Sequence, residues 1–405
     1  MFCCACLATI PYARNVTGPA ITGLAALGGA GLLWARFACQ ASWGRLVVWP
    51  VPVVLAAYMI AIQAGDHPAA SLRRSASMAL FALLFPAIQV CAWRARALAT
   101  VLWTVVGVVC VMSLDIAWQR FAGRSLLHGV PDPGGGVYAG SLGNRNDSVV
   151  MPLLMPLAFG ALHHRCRGWA YPALAVIAVP AWWLSRSRQS LVAWALAASS
   201  PFVRRAALGR SLLSVAVLAV ALTMILVSVP ELRERLVGTM QRGLGERGPI
   251  AAFGLELFLS HPLTGVSPGM FGEHYMSAAS TGWSFRGDAL PAVGMPWVHN
   301  LPIEIACEFG VVGLVAFGAV LASAIRSALR ALVQPGARSA IARGALCSIL
   351  VGVAVGLVDL SFIKDWVRCW WWLALGLACV QAPGEEHPHG AMSGKSRGIA
   401  DSHLP

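Results

Sequence analysis

Apolar and polar residues alternate along this chain in blocks of nearly helical-span length. Apolar runs fall at about 16–34, 46–62, 75–92, 97–118, 148–162, 168–184, 189–203, 209–229, 301–323, 343–361 and 366–380. Most approach the roughly 20 residues that a helix needs to cross a hydrocarbon core about 30 Å thick; 189–203 is short. The stub 1–12 is apolar too and stands as a short or truncated first helix. The pattern predicts an all-α polytopic membrane protein with about 11–12 transmembrane helices.

The polar segments between the runs set the organisation. A first loop, about 119–147, carries Gly134-Gly135-Gly136 and then Ser141-Leu142-Gly143-Asn144-Arg145-Asn146-Asp147. A second is the tight connection Ser185-Arg186-Ser187-Arg188-Gln189-Ser190. The third, 230–298, is long enough to be functional and not a plain turn. The chain therefore reads as an N-terminal helix bundle (1–229), one long loop (230–298), C-terminal helices (299–380) and a polar, disordered cytoplasmic tail (381–405). No basic segment precedes the first apolar stretch, so no cleavable signal peptide is expected. Alternating spans put the three loops on one side of the membrane. Arginines in the short loops of the opposite side suit the cytoplasm, which assigns the long loop to the periplasm and the protein to a bacterial inner membrane.

Composition agrees with the pattern. Residues are 58% hydrophobic and 12% charged, whereas soluble domains carry about 25% charged residues. The net charge of +13 comes almost wholly from arginine, Lys364 and Lys395 being the only lysines. Coding bias is one reading of that preference. The other is phosphate recognition, since a guanidinium meets phosphate oxygens through two planar contacts that an ammonium lacks. The basic residues are scattered among apolar runs, which argues against nucleic acid as a partner. Of the 11 cysteines, Cys91, Cys110, Cys347, Cys369 and Cys379 lie within apolar runs, where the thiol behaves as a small hydrophobe. Cys3, Cys4 and Cys6 have no matching second cluster, so no structural metal is expected.

The most informative stretch is Val298-His299-Asn300-Leu301-Pro302-Ile303-Glu304-Ile305-Ala306-Cys307-Glu308-Phe309-Gly310. It places one histidine where the long loop enters an apolar span, with two carboxylates behind it; ionisable groups at membrane depth are costly and usually functional. Ahead of it lies His261-Pro262-Leu263-Thr264-Gly265-Val266-Ser267-Pro268-Gly269. Together these segments resemble the signature region of the O-antigen ligase and polymerase family of bacterial envelope glycosyltransferases, most strongly over about 140–325. Gly143-Asn144-Arg145-Asn146-Asp147 is similar to the family's Gly-Asn-Pro-Asn-Asp helix entrance, with Arg145 in place of proline. Asn146 or Asp147 also reads as a plain helix N-cap. Leu184–Ser190 resembles the family's Ser-Arg-Gly-Ala-like turn; Arg188 takes the arginine position, with Arg186 as the alternate register. Arg247 stands at the family spacing from Pro262, although Ala251 occupies the position of the usual tryptophan, and Arg242 is the fallback.

The resemblance implies transfer of a glycan from an undecaprenyl diphosphate carrier to a hydroxyl of an envelope acceptor such as lipid A-core, without metal or cofactor, and with inversion at the anomeric carbon. His299 would be the catalytic base. Arg188, Arg247, Arg186, Asn146, Asn300 and Glu304 would bind substrate. The chemistry suits the residues: a departing diphosphate gains negative charge that fixed cations stabilise, and an acceptor hydroxyl needs a base that works near neutral pH. Glu304 and Glu308 lie one helical turn apart. Either one of them orients His299, or both pair with arginines in the bundle. O-antigen polymerases and protein O-oligosaccharyltransferases share the same marks and stand as alternatives. A small-solute transporter is the reading from a different class, though no internal repeat supports it.

Overall fold

A computed structural model describes residues 49–92, 95–132, 138–142, 148–166, 247–285, 287–291, 297–334, 336–362 and 364–380, with isolated positions between 172 and 197. The described part is helical apart from one hairpin. In chain order it comprises α1 (Pro50–Ala64), α2 (Pro68–Phe81), α3 (Leu84–Ala92), α4 (Ala95–Ala122), a 3-10 turn at Gly140–Leu142, α5 (Val150–Cys166), α6 (Arg247–Ser260), α7 (Phe271–Ser280), strands β1 (Ser284–Phe285) and β2 (Asp288–Ala289), α8 (Leu301–Ala331), α9 (Ala337–Gly356) and α10 (Asp365–Ala378). Three helices are long and apolar enough to cross a membrane among the described residues: Arg96–Ala122, Leu301–Ala331 and Arg338–Gly356. The expected spans at 16–34, 168–184, 189–203 and 209–229, the stub and the tail lie outside the described residues, wholly or for the most part.

Close approach of α5 to α9 organises the bundle. A Cβ added at Gly160 would come 2.7 Å from the carbonyl oxygen of Ala340, and one at Gly344 would overlap the carbonyl of Pro156. Lipid tails give apolar helices little reason to associate, so small residues and polar links carry membrane packing. The links are present. Ser348 Oγ donates to the carbonyl of Leu153 at 2.6 Å, and Trp370 Nε1 donates to Ser348 Oγ at 2.9 Å, tying α5, α9 and α10 at one level.

Two boundaries differ from the hydropathy reading. The run 75–92 is broken into α2 and α3, with α2 beginning at Pro68. The run 301–323 continues as α8 to Ala331, shortening the expected arginine-bearing loop 324–343 to a few residues. Arg326 and Arg330 obscured that continuation. They are exposed, while Ala324 and Ala328, one helical turn apart, stay buried on the opposite face.

The long loop contains structure of its own. Helices α6 and α7 share a small core of Ile250, Phe253, Leu257, Phe271 and Tyr275, which closes on Val298 and Cys307 at the start of α8. The segment Pro262–Gly269 then plugs a break in α8. Gly310 adopts φ 63, ψ −160 inside the helix, which frees backbone groups on both sides of it. The N–H groups of Val266 and Ser267 donate to the carbonyls of Cys307 and Glu308 at 2.7 and 3.1 Å, and Val311 N–H donates to Pro262 O at 2.8 Å. Every freed group that the turn meets is thus satisfied by backbone, as burial demands. The α1–α2 corner holds the turn from its other side, with Ser267 Oγ donating to Ser71 Oγ at 2.7 Å and Ser71 Oγ to Pro268 O at 2.8 Å.

Candidate functional site

The head of α8 is built so that His299 stands just outside it. Asn300 is the N-cap: its Oδ1 accepts from Ile303 N–H at 3.0 Å, the usual way to satisfy an orphan helix donor. Pro302 follows in the first turn, where its missing N–H costs nothing. His299 takes φ 57, a left-handed conformation that histidine tolerates better than most non-glycine residues. The backbone reversal swings its ring away from the helix axis and toward the end of α9.

At that end stands Asp359, buried. His299 Nδ1 lies 2.7 Å from Asp359 Oδ1, and Arg247 NH2 lies 3.2 Å from the same oxygen. The Trp297 indole N–H also approaches His299 Nδ1, at 3.0 Å. One ring nitrogen cannot donate to a carboxylate and accept from an indole at once. The shorter contact, to a carboxylate oxygen, governs, so we place the proton on Nδ1, directed at Asp359. That tautomer leaves the Nε2 lone pair as the proton acceptor. Arg247 heads α6 and also donates through NH1 to Val358 O at 2.7 Å, while Asn300 Nδ2 donates to Leu357 O at 2.8 Å. Residues 357–359 are therefore gripped from three sides. Lys364 Nζ stands 5.2 Å from the centre of the Trp297 ring, adding a cation at the rim.

The carboxylate that orients His299 is Asp359, not Glu304 or Glu308. Glu304 Oε1 accepts from Phe362 N–H at 2.8 Å, and Glu308 Oε1 accepts from Phe271 N–H at 3.3 Å. Each carboxylate fastens a loop to α8. The buried guanidinium of Arg368 acts on both electrostatically and sits 5.4 Å from the Phe81 ring centre. A small apolar pocket lies between α1, α8 and α10, with Tyr58, Phe309, Phe317 and Trp372 among its walls and Arg368 as its charged side.

Of the residues expected to bind substrate, Arg247 joins His299 at one site. Asn300 lies beside it with both ends of its amide engaged by backbone. Arg186, Arg188, Asn146 and the fallback Arg242 lie outside the described residues. Their neighbourhood is partly visible: Tyr138 N–H donates to Leu184 O at 3.0 Å, joining the first loop to the residue ahead of the Ser185–Ser190 turn. Two residues of α4 shape that loop. Asp115 accepts from Leu126 N–H at 2.6 Å and Ser141 N–H at 2.5 Å. Gln119 Oε1 accepts from Gly140 N–H at 2.8 Å. Among the described residues no three His, Cys, Asp or Glu side chains converge as metal ligands would.

Asp359 and Asp115 did not stand out in the sequence, yet a signal was there. Each is the only acidic residue of its apolar run, 343–361 and 97–118, and solitary acids in such runs mark functional or organising positions.

A family model described as O-antigen ligase matches residues 173–318. The match takes in Arg186, Arg188, Arg247, His299 and Gly310 and stops short of Asp359. No curated protein matches the chain.

Proposed function

We propose, from the chain's membership of the O-antigen ligase family through residues 173–318, that it transfers a glycan from undecaprenyl diphosphate to a hydroxyl of an envelope acceptor such as lipid A-core. The family is one of glycan transfer, of ligase or polymerase type; donor, acceptor and mechanism are our reading. The observation that carries it is the Arg247–Asp359–His299 cluster at the mouth of the bundle.

In this reading Asp359 fixes the imidazole so that Nε2 faces the acceptor hydroxyl and takes its proton as oxygen attacks the anomeric carbon. The glycosyl–phosphate bond breaks with its electron pair leaving on the diphosphate. Arg247, half-exposed at 36% of its side chain, has N–H groups beyond those held by Asp359 and Val358 with which to meet that charge. Arg188, or Arg186 in the other register, would supply a second cation from the 185–190 turn, and Asn146 would bind substrate. The small apolar pocket walled by Tyr58, Phe309, Phe317 and Trp372 suits part of the donor's polyprenyl chain better than any sugar. A site facing the periplasm, on the inner membrane, would meet a donor already flipped across it.

The test is transfer by the purified protein in vesicles holding an undecaprenyl diphosphate-linked glycan, offered either lipid A-core or a second lipid-linked glycan. Capping of lipid A-core indicates a ligase, and lengthening of the glycan a polymerase. A positioned base contributes about 10²–10⁴-fold, so His299→Gln should lower turnover by that order while donor binding survives. Parental rates in the glutamine variant would remove His299 from the chemistry, and failure to extend either acceptor would overturn the reading.

A further inference from the structure

Helix α6 belongs to the long polar loop by sequence, yet it turns large leucines outward beside the exposed Glu256 and Ser260. Leu255 and Leu259, one turn apart, are 46% and 68% exposed, and Leu263 in the following turn is 69% exposed. The ionisable residues of α6 are Arg247 and Glu256. Both are engaged: Arg247 by Val358 and Asp359 at the head of the helix, and Glu256 by the indole N–H of Trp283 at 2.9 Å. A water-facing helix seldom leaves large leucines as the main feature of its surface.

The height of this face relative to the bilayer follows from α8. α6 runs alongside the first turns of α8 in the same direction: Arg247 reaches Val358 beside the head of α8, a Cβ on Gly254 would touch Ile303 at 3.0 Å, and Pro262 O accepts from Val311 N–H at 2.8 Å. The 31 residues of α8 span about 46 Å at about 1.5 Å per residue, well beyond a hydrocarbon core of about 30 Å. Arg330 ends the helix with its charge in the headgroups of one side. Counting back about 20 residues, one core thickness, places the other edge near Gly310. Leu263 is paired with the next residues of α8 through the Leu263 O to Val312 N–H bond at 3.2 Å. Val311 and Val315, 41% and 65% exposed, carry the same outward strip on into the span.

We infer that α6 and its turn form a wedge seated in the bilayer, with Leu263 in the edge of the hydrocarbon, Leu259 at its boundary and Leu255 among the headgroups. The occupant of the leucine strip is phospholipid, because the strip is continuous with the lipid-facing side of α8. The break at Gly310 lets the turn dock at that depth without leaving bare backbone groups in an apolar medium.

The experiment uses the full chain in vesicles of phosphatidylethanolamine and phosphatidylglycerol, with a photoreactive benzoylphenylalanine at position 255, 259, 263, 277 or 315 in separate variants. After irradiation, intact mass reports covalent phospholipid. Ser277, exposed on α7, is the aqueous reference and Val315 the lipid reference. Adducts should be absent at 277 and rise in the order 255, 259, 263, 315. Adduct levels at 259 and 263 no higher than at 277 would overturn the proposal. Cross-linked dimers at those positions would overturn it too, by naming a second copy as the occupant. Neither outcome depends on glycan transfer, so the wedge and the proposed activity fail independently.

Discussion

Gly310 and Leu263 meet so closely that a single methyl on the glycine would overlap the leucine carbonyl. The break in α8 and the turn that plugs it are thus one feature, written by two distant parts of the chain. Gly265 completes it, at φ 69, with its open side against the backbone of Glu308 and Phe309.

Gly310→Ala and Gly265→Ala should therefore destabilise the protein on two counts. A positive-φ backbone of this kind costs an L-residue about 1–3 kcal/mol, and forcing a methyl into packed neighbours adds about 1–3 kcal/mol. Gly318→Ala is the control: it lies in the same helix, and an added Cβ meets nothing within 4 Å. Thermal unfolding in detergent should rank Gly318→Ala at or above the parent and the other two well below it. Equal stability of all three variants would mean that the docked turn is not required.

Asp359→Asn should abolish most transfer while leaving the protein folded. The amide can present either a donor or an acceptor to His299 Nδ1, so the tautomer with Nε2 free to take a proton is no longer enforced. A loss approaching the base's whole contribution, about 10²–10⁴-fold, is expected in turnover, with little change in donor binding. Asp359→Glu should recover part of it. A turnover unchanged in the asparagine variant would show that the 2.7 Å contact is structural only.

How far these features could be read from sequence depended on whether their partners were close along the chain. His299 and Asn300 sit at a composition boundary, and the cap at Asn300 follows from local chemistry. Arg247 was reachable through its spacing to Pro262. Asp359 was not, because what pairs it with His299 is the packing of α9 beside α8, and nothing in the order of residues fixes that. Glu304 and Glu308 were conspicuous as charges in an apolar run, and hydropathy gave no hint that they accept from Phe362 and Phe271. Hydropathy also merged α2 with α3 and stopped α8 early, since it weighs composition and not which face of a helix carries the arginines.

Arg247→Ala should remove transfer and weaken binding of undecaprenyl diphosphate to the protein in vesicles. Arg247→Lys should restore only a fraction of either. The guanidinium reaches Val358 O with one nitrogen and Asp359 with another, at 2.7 and 3.2 Å; an ammonium on a shorter fork cannot make both contacts and still face a phosphate. Binding isotherms of the lipid diphosphate for the three proteins decide it. Full affinity in the alanine variant would assign the cation role to the 185–190 turn alone.

Acid should loosen the loop module through His274 of α7. Burial holds its imidazole below the usual histidine value, and the like charge of His261 adds to the effect, against a smaller pull from Asp66 and Glu273 in the opposite sense; His67 stands nearby too. With the folded value lowered, the unfolded chain takes up the proton first as pH falls. Stability is therefore complete above the unfolded histidine pKa of about 6.5 and is lost as pH drops below it toward the folded value. His274→Gln keeps a polar side chain that does not titrate, so its thermal midpoint should fall less between pH 7.5 and pH 5.5 than the parent's. The two proteins should differ little in pH dependence above about pH 7. Parallel curves through the acid range would show that His274 is as accessible to protons in the folded protein as in the unfolded chain.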